Sequence, residues 1–149
     1  MEMKPWDTPI NQGELSVLAV NYGRDDWGLS CEQGSYVHQM PHQSSSHTLT
    51  ITVFHLLTES IYELRFEHVG AYRVLDEHGL LDMWSHKTDV TGNCFKVRNH
   101  AWAEESPVSF MTNTIDGWSY MISTDWDCVE VLTEADPDIV FIEKLTNEG

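Results

Sequence analysis

Thr48, Thr50 and Thr52 alternate with Leu49, Ile51 and Val53, and this two-residue period predicts a half-buried strand over 48–57. Thr58, Glu59 and Ser60 interrupt it. A second alternation follows, with Tyr62, Leu64 and Phe66 on one side and Glu63, Arg65 and Glu67 on the other, so the two runs form an antiparallel hairpin with one wet face. Residues 71–75 and 80–85 flank Asp76-Glu77-His78-Gly79, a turn-forming run that predicts a second hairpin. Further strands are expected at 14–22, 94–98, 108–112 and 118–123, each bounded by Gly, Pro, Asn or Asp.

Two segments are less regular. Over 123–132, Thr124 with Asp127 three positions on resembles a capping box ahead of a helix stopped by Pro137. Val129 and Val131, β-branched and alternating with Cys128, Glu130 and Leu132, suit a strand better, and the strand is the reading adopted. The polar stretch 23–47 lacks periodicity and is expected to be a mobile loop. Short strands at this spacing predict a mainly β (or α+β) fold: one domain over 1–149, an antiparallel sheet folded as a sandwich or half-barrel, with few short helices. At this length about 68–70% of the unfolded surface can be buried.

Charge changes the picture. Twenty-four Asp and Glu against eight Lys and Arg give a formal net charge of −16. Between Arg98 and Lys144 the chain has ten carboxylates and no cationic Lys or Arg. That stretch also holds Trp102, Phe110, Trp118, Tyr120, Trp126 and Phe141, far too many aromatics for a solvating acidic tail. An acidic face on a packed scaffold is expected, and it selects a basic protein partner while disfavouring nucleic acid and anionic membrane. Cys31, Cys94 and Cys128 form no C-x-x-C pair and suggest a reducing compartment. Residues 1–13 lack the pattern of a secretory signal and no stretch is apolar enough for a membrane span, so a cytoplasmic location is expected.

Candidate chemistry is sparse. His38, His42 and His47 lie with Cys31 in one segment, but their spacing places no set of rings on a common side, and no metal or other cofactor is expected. Nothing selects a general acid and base among so many carboxylates, and no nucleophile elbow, glycine-rich phosphate loop or H-E-x-x-H is present. Cys128 is surrounded by acids, the wrong setting for a reactive thiolate. The reading is therefore a binding protein and not an enzyme. Tryptophan and carboxylate keep close company: Trp6 precedes Asp7, Trp27 follows Asp25-Asp26, Trp84 follows Asp82, Trp102 precedes Glu104-Glu105, Trp118 follows Asp116, and Trp126 lies between Asp125 and Asp127. An aromatic anchor in a charged rim is the composition of a protein-binding hot spot. Trp27, Glu104, Glu105, Asp116, Asp125, Trp126 and Asp127 are the expected partner-binding residues, with Trp27 and Trp126 placed in turns. The alternative use of Trp and carboxylate is to bind or hydrolyse carbohydrate.

Two stretches, 73–84 (Arg73-Val74-Leu75-Asp76-Glu77-His78-Gly79-Leu80-Leu81-Asp82-Met83-Trp84) and 120–132 (Tyr120-Met121-Ile122-Ser123-Thr124-Asp125-Trp126-Asp127-Cys128-Val129-Glu130-Val131-Leu132), resemble segments of small bacterial immunity proteins of contact-dependent growth inhibition and other polymorphic toxin systems. The resemblance implies a cytoplasmic toxin inhibitor that binds a cognate toxin domain and blocks its active site or substrate surface. Many such toxins are nucleases with basic grooves, so the implied partner and the partner selected by charge agree.

Overall fold

The computed structural model describes residues 1–23, 27–38, 48–80, 83 and 92–145. Within them the protein is mainly β, built from three antiparallel sheets and two short α-helices, with no closed barrel. The strands are β1 (Glu2–Pro5), β2 (Leu15–Tyr22), β3 (Trp27–Cys31), β4 (Gly34–His38), β5 (Leu49–His55), β6 (Ser60–Phe66), β7 (Ala71–Asp76), β8 (Cys94–Arg98), β9 (Ser119–Ile122), β10 (Asp127–Leu132) and β11 (Asp138–Lys144). The helices α1 (Ala101–Glu105) and α2 (Pro107–Asn113) lie between β8 and β9. A five-stranded sheet runs β1-β8-β9-β10-β7, a four-stranded sheet β11-β6-β5-β2, and β3-β4 form a separate ribbon.

Alternation in β5 is strict: Leu49, Ile51, Val53 and His55 are buried while the residues between them are half-exposed. That inner side, with Leu15, Leu64 and Phe66, packs against Cys94, Tyr120, Ile122, Val129 and Val131 of the five-stranded sheet. Trp6 seals the seam, its ring edge-on to Tyr120 at 4.9 Å. The opposite side of the five-stranded sheet is covered too. Phe95, Val97, Met121 and Cys128 pack there with Leu80 and Met83, and α1 and α2 lie over the same side around Glu130. All four residues of β9 are consequently buried, which explains a run without polar alternation.

Within 123–132 the expected strand forms over Asp127–Leu132 as β10, with Val129 opposite Ile122 on one side and Val74 on the other. Three expectations are corrected. The turn expected at Asp76-Glu77-His78-Gly79 is instead a 3-10 helix at Glu77–Leu80, and β7 pairs with β10. The opposite charges of Arg73 and Glu130, directly across from each other, favour this pairing. Residues 81, 82, 84 and 85 of the expected strand lie outside the described residues. The strand at 108–112 is instead α2, because Pro107 at its start supplies the helical φ and needs no hydrogen-bond partner. Part of the loop at 23–47 is the β3-β4 ribbon, whose Gly and Ser positions carry no apolar alternation yet pair from Trp27–His38 to Cys31–Gly34. Residues 24–26 and 39–47, with His42 and His47, lie outside the described residues. No helix of the described residues is long and apolar enough to cross a membrane.

Candidate functional site

All the described lysines and arginines except Lys144 are drawn into internal contacts. Among the six described lysines and arginines, Arg65 pairs with Glu63 at 2.8 Å, Arg73 with Glu130 at 2.7 Å, Lys96 with Asp136 at 3.6 Å and Arg98 with Glu2 at 2.5 Å. Lys4 and Arg98 each lie 4.4 Å from the Trp118 ring centre, and Arg73 lies 4.7 Å from that of Trp102. The exposed carboxylates of Glu104, Glu105, Asp116, Asp125, Asp127, Glu134, Asp138 and Glu143 form no ion pair with a described cation. The surface field is therefore negative by construction.

Glu130 is the exception among the ten C-terminal acids and does not belong to the acidic face. It is 1% exposed, and its carboxylate accepts from Arg73 Nε and Nη2 at 3.0 and 2.7 Å and from Ser119 Oγ at 2.6 Å. His100 Nε2 lies 2.6 Å from Oε2, the oxygen that Ser119 also reaches, while Arg73 binds Oε1. Burial alone pushes this carboxyl up; the His100 hydrogen bond and charge, then Arg73 and Ser119, outweigh it and hold the group below the ordinary carboxylate range. His100 Nδ1 is buried without a hydrogen-bond partner. Glu130, His100 and Ser119 are buried and Arg73 is 27% exposed, so the network fastens β7 and the start of α1 to the middle of the sheet.

The Asp125-Trp126-Asp127 turn joins β9 to β10. Thr124 closes it: its hydroxyl accepts from the Trp126 amide at 3.1 Å and donates to the Asp127 carbonyl at 2.6 Å. The Thr124 hydroxyl closes a turn rather than capping a helix, in keeping with the strand reading adopted from the sequence. Held this way, Trp126 is 75% exposed, with Asp125 and Asp127 exposed on either side. Asp127 sits opposite Asp76, which adds a further carboxylate at the same end of the sheet.

The expected contact residues divide into separate groups. Asp116 and Gly117 both have positive φ, 56° and 83°, and with the Trp118 amide bonded to the Ile115 carbonyl at 3.1 Å they make a type I′ turn ahead of β9. The Asp-Gly dipeptide signals this turn in sequence. Asp116 thus lies at the start of β9 and the Trp126 turn at its end. Glu104 and Glu105 end α1, on the connection that leads to Asp116. Trp27 is the first residue of β3 and does not occupy a turn.

Beside Asp116 is a cleft of about 250 Å³ lined by Lys4, Lys96, Ile115, Asp116, Trp118, Tyr120, Thr133, Glu134 and Asp136. Tyr120 donates its hydroxyl to Asp136; burial, then this carboxylate, holds the phenol well above its usual value. The Tyr120 hydrogen bond lowers the Asp136 carboxyl against its partial burial, and Lys96 and Lys4 lower it further. Trp6 is buried and Trp102 and Trp118 are half-buried under cations, whereas the Trp126 ring is exposed. Trp84 lies outside the described residues. No group of three or more metal-ligating side chains occurs among the described residues, and the cysteines form no disulfide with one another. Comparison with protein-family models, curated proteins and solved structures gives no match.

Proposed function

We propose that this chain is an inhibitory binding protein, a toxin-neutralising immunity protein whose partner is a basic toxin domain, a nuclease in the leading case. One observation carries the reading: Trp126 stands 75% exposed on a turn fixed by Thr124, between two carboxylates that no described cation neutralises. The backbone beneath the ring is already fixed, so docking orders only its side chain, and the acids beside it form the polar rim of a hot spot. The remaining uncompensated carboxylates supply long-range attraction, which raises association rates to about 10⁸–10⁹ M⁻¹s⁻¹ at low salt and falls steeply as salt screens it.

The test is affinity capture from the parent cell at low and high salt, followed by kinetics on the recovered partner. A basic protein, released by salt and lost with Trp126→Ala, is expected. Reversing charge with Asp125→Lys and Asp127→Lys should slow association more than it speeds release. Recovery of only neutral or acidic proteins, bound equally at high salt, overturns the proposal.

A further inference from the structure

The geometry points to a second docking surface, formed by the outward side of α2 and the cleft beyond it, which receives a basic segment of a partner protein with apolar residues spaced along one side. In α2, Phe110 is 4% exposed and faces the protein, while Val108 and Met111 are 67% and 75% exposed. Three residues apart, these two side chains are neighbours on one side of the helix. Ile115, 59% exposed, continues the apolar line to the Asp116-Gly117 turn. A contiguous exposed apolar strip rimmed by charge marks an interaction surface.

Carboxylates form the rim at both ends. Glu104 and Glu105 precede α2, and Asp116 follows it. Past Ile115 the strip opens into the cleft of about 250 Å³, where Lys4 is drawn over Trp118 and Lys96 is held by Asp136 and Tyr120. Asp116 and Glu134, the other acids of the lining, form no ion pair with a described cation. The complement of this surface is an apolar stripe edged by lysine or arginine. A second copy of this chain is the wrong occupant, since each copy carries −16 and the strip lies among acids. An anionic membrane is repelled for the same reason.

This surface is distinct from the Trp126 turn. Asn113, at the end of α2, lies against Gly70, which precedes the Ala71–Leu132 pair at the far end of β10 from Asp127. The inference rests on the proposed function only for the partner's positive charge. It is tested with the full chain and three synthetic probes: a Leu/Lys peptide with its leucines along one helical side, a scrambled peptide of the same composition, and a Leu/Glu peptide of the first pattern. The patterned Leu/Lys peptide should bind more tightly than the scrambled one, and Val108→Ser with Met111→Ser should weaken it about tenfold or more. The same substitutions should leave the scrambled peptide's binding unchanged, and the Leu/Glu peptide should not bind. Equal binding of the patterned and scrambled peptides, or no effect of the double substitution, overturns the inference. So does a wild-type dimer in sedimentation that the double substitution dissolves. In the capture experiment, loss of partner with Trp126→Ala but not with Val108→Ser and Met111→Ser removes this surface and leaves the proposed function standing. Failure to capture a basic protein at all removes the proposed function, and the peptides still decide the surface.

Discussion

Replacing Arg73 by Met tests the account of the buried carboxylate. The side chain of Glu130 is 1% exposed, and Arg73, 27% exposed, supplies both donors to one of its oxygens. Methionine retains most of the aliphatic stem and removes the charge. Breaking a buried ion pair by deleting one partner costs about 3–5 kcal/mol, because the other charge is stranded. For a chain of this size each kcal/mol moves Tm by about 2–4 °C, so a fall of roughly 6–20 °C is expected. Urea unfolding at neutral pH, followed by tryptophan fluorescence, gives the free energy directly. Adding Glu130→Gln should recover part of the loss, since a neutral acceptor can still serve Ser119 and His100. The folded Glu130 carboxyl titrates below its ordinary value near 4.5, so the stabilisation is complete above that pH. It drains away as pH falls through the lower folded value, and the gap between wild type and Arg73→Met should close over the same range. A loss below about 1 kcal/mol, the scale of a surface pair, with no recovery in the double variant, would refute the reasoning.

Three further outcomes are expected. Trp126→Ala should leave unfolding free energy within about 0.5 kcal/mol of wild type, because its ring is largely in water, and a larger loss would mean that the ring packs against the fold. Spectrophotometric titration should find a tyrosine that ionises well above the ordinary phenol value, and Asp136→Asn should bring it down; since the Tyr120 phenol is raised in the folded state, its contribution to stability is present below the ordinary tyrosine pKa and lost as pH climbs toward the folded one. Gly92→Ala should cost more than about 1 kcal/mol in urea unfolding, since φ is +99° and the added Cβ would lie 2.9 Å from the Asn11 carbonyl oxygen.

Legibility followed the number of wet faces. β5 and β6 could be read because one side of their sheet meets solvent and the alternation survives. β9 and β10 could be recognised as strands, but both sides are covered, so Glu130 looked like a surface acid. Its partners Arg73 and His100 stand 57 and 30 positions away, a relation that only strand pairing creates. In α2 the run of Val, Phe and Met outweighed Pro107 in the sequence reading, while the fold buries Phe110 alone among the α2 residues. The β3-β4 ribbon gives no signal because Gly28, Ser30, Gly34 and Ser35 have little to bury. The Asp125-Trp126-Asp127 group was legible because it is local. Its separation from Glu104, Glu105 and Asp116 was not, because that depends on which way β9 runs.

β9 is paired on both edges and covered on both sides, and a turn leaves each end of it. Such a strand is among the last to open, and it acts as a gauge block about 13 Å long, at roughly 3.3 Å per residue, between Asp116 and the Trp126 turn. A counterpart that engages both must match that fixed span in its own backbone. The separation of the two turns is thus set by paired backbone and does not change with side-chain rotamers.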